Sequence, residues 1–146
     1  FAHGNAKSQQ WCQSPPTTQQ ADWARADVAG SFDLTLLSDG TYHTNHHGPV
    51  SRQLRSSLAD GGCVLHADPG RELSSQFLLQ ERQHFACATW HRVTSFLDHK
   101  ANVRLSLLAR SNADLQTWCE RLGVAAHELT DHAPLAAEQP ARNTPD

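Results

Sequence analysis

The stretch Ser31-Phe32-Asp33-Leu34-Thr35-Leu36-Leu37-Ser38-Asp39-Gly40-Thr41-Tyr42 decides the fold. Residues 32–37 form a compact apolar run that stops at Ser38-Asp39-Gly40, a turn signal. A run this short, bounded this way, suits a strand buried on both faces, as in a parallel sheet. A second such strand is expected at Cys63-Val64-Leu65-His66-Ala67, closed by Asp68-Pro69-Gly70.

Between these strands Pro49 can start a helix, because its missing N–H costs nothing in a first turn. Val50, Leu54 and Leu58 recur at four-residue spacing, with Arg52 and Arg55 on other faces, and Asp60-Gly61-Gly62 ends the helix. Residues 72–85 read as another helix with Leu73, Phe77 and Leu78 on one side. Residues 87–96 read as a strand, residues 98–101 as a turn, and Val103, Leu105 and Leu107 alternate as a half-buried strand; the last two strands form a hairpin. Leu115, Trp118, Cys119 and Leu122 give a short helix ended by Gly123. Upstream, residues 4–11 suit a short helix and residues 17–23 a short strand. Residues 131–146 hold three Pro and no apolar periodicity, and are expected to be a disordered tail.

Strands alternating with helices imply parallel crossovers. The closing strand pair then adds an antiparallel edge to a mostly parallel sheet. In such a sheet, ligands bind outside the carboxyl ends of the strands. Topology alone therefore gathers Asp39, Tyr42, Asp68 and Arg71 around one cleft.

Composition narrows the classes. A net charge of -3, with no long basic run, gives little bulk attraction to nucleic acid or anionic membrane. Cys12, Cys63, Cys87 and Cys119 lack zinc-finger spacing, and Cys63 and Cys87 lie in apolar runs that suit buried thiols. A reducing, cytoplasmic setting is the expectation. No apolar stretch approaches the ~20 residues of a membrane-spanning helix. The chain contains no Met and opens on Phe1, which reads as a fragment whose amino-terminal part is absent.

These motifs resemble class I, seven-β-strand S-adenosylmethionine-dependent methyltransferases, in the branch of protein-lysine methyltransferases and nicotinamide N-methylase-like proteins. Residues 31–42 look like that branch's fourth strand, which ends in D-x-x-Y, here Asp39 to Tyr42. The stretch from Gly61-Gly62 to Asp68-Pro69-Gly70-Arg71 looks like its next strand. Ala21-Asp22-Trp23 resembles the end of its third strand, and Asn5 an Asn of the preceding helix. The closing strand pair matches its sixth and seventh strands.

The resemblance covers about residues 5–110. It implies a Rossmann-like α/β domain over residues 1–130, with helices on both faces, truncated at its amino end. It also implies S-adenosylmethionine as cofactor, held through Asn5, Asp22, Trp23 and Ser38. Asp39 and Tyr42 become the catalytic pair, and Asp68 and Arg71 line the channel of a protein or small-molecule methyl acceptor. The chain departs from the family in one respect. Neither the glycine-rich loop nor the acidic residue of the second strand has a counterpart.

Plainer readings stand beside these. Asp39 before Gly40 suits any turn. Tyr42 and Trp23 suit ordinary packing, Asp68-Pro69-Gly70 a structural turn, and Arg71 a pair with Asp68 or Glu72. A non-catalytic Rossmann-like binding or scaffold domain is the alternative function. A metal-dependent hydrolase would use His43, His46 and His47 with His66 and Asp68. The spacing matches no H-E-x-x-H motif, and no metal is expected. Neither a Gly-x-Ser-x-Gly element nor a Walker loop occurs.

Overall fold

A computed structural model describes residues 18, 20–22, 24, 25, 28, 30–96 and 99–133, with 96, 99 and 130–133 described by their backbone alone. The elements are β1 (Phe32–Ser38), α1 (Thr44–Ser57), β2 (Leu58–Asp68), α2 (Glu72–Glu81), β3 (Ala86–Phe96), β4 (His99–Ala109), α3 (Asn112–Arg121) and β5 (Leu129–Ala133). Among the described residues they build one sheet in the order β1-β2-β4-β3-β5.

The sheet is mixed. β1 and β2 pair in parallel, whereas β2 with β4, β3 with β4, and β3 with β5 are antiparallel. The mostly parallel sheet expected from the alternation is corrected accordingly. β4 turns back from β3 and inserts between β3 and β2, and β5 pairs with the other side of β3, so both strands of the hairpin lie inside the sheet. The apolar side chains of β4 explain its place. Leu107, Leu108 and Ala109 are buried on alternating faces, which an edge strand does not require.

Period-two alternation sorts the core into two layers. Leu37, Val64, Cys87 and Leu108 on the sheet pack with Val50, Leu54, Phe77, Leu78 and Phe85, beneath α1 and α2. Cys63, Ala86, Ala88, Trp90, Leu107 and Ala109 face Leu115, with Trp118 packed alongside, beneath α3. Helices thus cover both faces. Each buried Leu, Val or Phe contributes about 1.5–3 kcal/mol relative to exposure. Cys63 lies so deep that burial pushes its thiol up to about 12, keeping it protonated and inert.

Three boundaries differ from expectation. Pro49 lies inside α1, which begins at Thr44. The helix therefore forgoes one backbone bond there, offset by the buried stripe of His47, Val50, Ser51 and Leu54. Second, the chain leaves helix geometry at Leu58, and β2 already includes Gly61-Gly62. Arg110 Nη2 donates to the carbonyls of Arg55 and Leu58 at 2.7 and 2.8 Å, closing the end of α1. A Cβ on Gly62 would sit 2.9 Å from the carbonyl oxygens of both Ala59 and Phe32, so the register shift between β1 and β2 needs glycine there. Third, β5 runs through residues 129–133, where the reading placed the start of a tail. That strand has no apolar alternation to announce it.

α3 starts at Ser111, whose hydroxyl accepts from Asp114 N at 3.1 Å, and ends before Gly123 at φ 66°. Thr18, Gln20, Ala21 and Asp22 are in no helix or strand. The helix expected over residues 4–11 lies outside the described residues, as do Cys12, Asn5 and Trp23. No helix among the described residues is long and apolar enough to cross a membrane.

Phe77 is fully buried between His47 and His66, with ring centroids 5.4 and 6.1 Å away. Phe77→Ala should cost about 3–5 kcal/mol, read as a lowered urea midpoint with an unchanged slope.

Candidate functional site

Because β1 and β2 run in parallel, their carboxyl ends deliver two polar turns to the same rim. Asp39 N donates to Ala67 O at 2.9 Å, continuing the ladder one residue past β1. Asp39 then takes a left-handed φ of 45°, which Asp tolerates better than most side chains. This aims its carboxylate at Arg71, which begins the turn into α2. Arg71 Nε donates to Oδ1 at 2.9 Å and Nη2 to Oδ2 at 3.0 Å. The guanidinium holds the Asp39 carboxyl below its usual range. Both side chains are about half exposed, so the pair is open to exchange and to salt.

Asp68 is built differently. Its side chain is buried, and Oδ1 accepts from Gly70 N at 2.6 Å and Arg71 N at 3.0 Å. Arg104, in register opposite on β4, grips both oxygens with Nε and Nη2, each at 3.0 Å. Arg104 also donates to Arg71 O and to Ser75 Oγ. Asp68 therefore anchors the turn that carries Arg71. Arg71 pairs with Asp39 rather than with Asp68 or Glu72 through its side chain.

Between the two turns lies a buried chain. Thr41 Oγ1 donates to Ser74 Oγ at 2.9 Å, so its oxygen accepts from His66 Nε2 at 3.0 Å. His66 Nδ1 is then bare, 3.4 Å from Asp68 Oδ2 and without a hydrogen bond. Burial holds the His66 imidazole below its ordinary value, against the opposing pull of Asp68. His47 Nε2 donates to Thr41 O at 3.0 Å, pinning the turn from α1. Asp68, His66 and Thr41 stand in the order of a proton relay. All three are nearly inaccessible, and no described cavity reaches Thr41. They hold the rim in place and cannot act on a substrate.

Outside this buried chain Tyr42 projects outward, half exposed, with its ring edge on His46 at 5.7 Å and His43 at 6.3 Å. It borders a cleft of about 400 Å³ lined by Asp22, Gly40, Tyr42, Asn45, His46 and Pro49. Asp22 Oδ1 accepts from Ala24 N at 2.9 Å, which leaves the other oxygen beside Arg25 at 3.5 Å. Asp39 and Arg71 pair on the rim, while Asp22 and Tyr42 both line the cleft. Of the four residues expected around one cleft only Tyr42 lines it; Asp39, Asp68 and Arg71 do not, because they are taken up in the ion pairs that hold the two turns. Ser38 is exposed on the opposite side of β1 from Leu37 and does not line this cleft. His47 is turned inward while His43 and His46 stay with Tyr42, and no group of three potential metal ligands occurs among the described residues.

Arg104, Thr41 and Ser74 were not singled out from the sequence. Arg104 reads as the polar partner in an alternating strand, and only the strand register sets it opposite Asp68. No model of a known protein family matches the chain, and no curated protein matches it.

Asp68→Ala should cost about 3–5 kcal/mol by leaving Arg104 unpaired, whereas Asp39→Ala should leave the urea midpoint nearly unchanged. His66 gives a pH test. Its folded-state affinity for a proton lies below the ordinary value of 6.5. The unfolded chain therefore binds more protons as pH falls through about 6.5, and stability falls with it. Urea midpoints from pH 7.5 to 5.0 should drop, and His66→Gln should flatten the drop.

Proposed function

We propose that this chain carries the acceptor side of an S-adenosylmethionine-dependent methyltransferase acting on an amine, on a protein lysine or a small molecule. The observation that supports it is the shared rim. The D-x-x-Y element and the Asp-Pro-Gly-Arg turn meet through the Asp39–Arg71 pair, and Tyr42, at the end of the first, borders an open cleft. The run β1-α1-β2-α2-β3, with helices on both faces of the sheet, is compatible with a Rossmann-like domain.

Little is asked of the side chains in such a reaction. They must orient the amine, keep water from it and leave its lone pair free. Tyr42 and His46 would form the aromatic wall along which an alkylamine lies. An ammonium arriving at the rim would compete with the Arg71 guanidinium for Asp39, so the exposed pair would serve as an exchangeable latch. Asp68, through the backbone of Gly70 and Arg71, would hold that latch in register.

The cofactor fits the described residues in part. Asp22 and Tyr42 share the cleft, but Ser38 lies off it, and no glycine-rich turn is present to receive the nucleotide. The departure from the family pattern also favours the second reading, a binding or scaffold domain without catalysis.

The test is transfer of a labelled methyl group from S-adenosylmethionine to lysine-rich protein and to small primary amines. The assay uses the full product of its gene and, separately, the 146 residues alone. The 146 residues hold no counterpart of the glycine-rich loop, so no transfer is expected from them by themselves. In the full product Asp39→Ala should lower transfer at least 100-fold with the urea midpoint retained. Transfer by the 146 residues alone, or undiminished by Asp39→Ala, would overturn the assignment of roles.

A further inference from the structure

α1 and α2 meet along a seam whose contacts repeat once per turn. His47 and Ser51 lie four apart on α1, and Phe77 and Glu81 four apart on α2, so each pair shares one helix face. The rings of His47 and Phe77 meet edge-on with centroids 5.4 Å apart, and one turn further along Ser51 hydrogen-bonds the Glu81 carboxyl. All four side chains are buried.

Glu81 is the odd member of this seam. It is 3% exposed, and its Oε2 has no hydrogen-bond partner. An ionised carboxyl is costly in such a place, and a protonated one much less so. Glu81 also ends α2, where the helix carbonyls carry partial negative charge and disfavour a further anion. Burial accordingly raises its carboxyl above the ordinary 4.5, against the opposing pull of Ser51, His84, Arg55 and His47. A cavity of about 310 Å³ adjoins the seam, lined by Glu81 and Ser51 together with Arg52, Arg55 and His84. It offers an ionised carboxylate water and two guanidiniums, at the expense of the contact with Ser51.

The next contact along the seam reaches the rim. His47 Nε2 donates to Thr41 O at 3.0 Å, in the turn that carries Tyr42. We propose that Glu81 is a pH-sensitive clasp between α1 and α2, whose ionisation loosens the turn of Thr41 and Tyr42 through His47. The closed seam holds the Glu81 proton more tightly than the unfolded chain does. Its stabilising effect is therefore complete below about 4.5 and is lost as pH rises through the higher folded-state value. The clasp acts on the backbone of the rim and stands whether or not that rim serves methyl transfer.

The experiment follows the Glu81 carboxyl carbon of the chain by NMR from pH 3.5 to 8.0. In parallel, hydrogen exchange corrected for the intrinsic rate follows the amides of α1 and of Tyr42. Glu81 is expected to titrate above 4.5, with exchange at both places quickening at least threefold across that titration. Glu81→Gln, which cannot ionise, should hold the slow rates throughout. His66 is present in both proteins, so its own pH response cancels in the comparison. Titration at or below 4.5, exchange that does not follow it, or the same pH response in Glu81→Gln would overturn the clasp. Quickening confined to α1 would overturn its link to the rim. The unsubstituted chain gives the titration and its exchange, so the proposal is decided even where Glu81→Gln fails to fold.

Discussion

The buried pair between Asp68 and Arg104 is the constraint from which the rest of the rim takes its shape. One carboxylate closes the turn after β2 by accepting two backbone N–H groups, while the guanidinium opposite stitches β4 to the start of α2. A charge this deep is tolerated because both oxygens are hydrogen-bonded, Oδ1 by three N–H groups and Oδ2 by one. The same geometry explains why β4 belongs beside β2. Moved one position along the strand, Arg104 would face the α3 side, and Asp68 would be buried without its cation.

Two tiers of polar structure follow. The lower tier, Asp68, His66, Thr41 and Ser74, is sealed and sets where the backbone of the turns lies. The upper tier, Asp39, Arg71 and Tyr42, is half exposed and free to exchange partners with solvent. Rigid support beneath accessible groups is the arrangement that suits a binding rim, since position is fixed without consuming the groups that meet a ligand.

Much of this was readable in the residues. The apolar runs of β1 and β2, each ended by an Asp-containing turn, gave both strands and their common edge, but the two-sided burial expected of β1 does not hold, since in it only Leu37 is buried. Leu115, Trp118 and Gly123 gave α3 and its stop. What the pattern could not carry was partner choice. Alternation in β4 says that one face is buried, yet insertion between β2 and β3 depends on burial of both faces. Pro49 misled because tertiary packing of Val50 and Leu54 outweighs one missing backbone bond. Gly61-Gly62 read as a helix stop, whereas their use is a close approach of two backbones. The Asp39–Arg71 pair spans 32 positions of sequence and follows from parallel pairing, which no local signal encodes.

β1 lies at the end of the sheet order, and three of its apolar side chains, Phe32, Leu34 and Leu36, are exposed, Leu36 at 70%. Such a margin is adhesive. Among the described residues no strand pairs with its outer side, which sets backbone groups beside greasy side chains, the combination that natural sheets usually blunt with charge or proline. Among the described residues the surface best suited to self-adhesion is therefore this border strand and not the well-sealed interior.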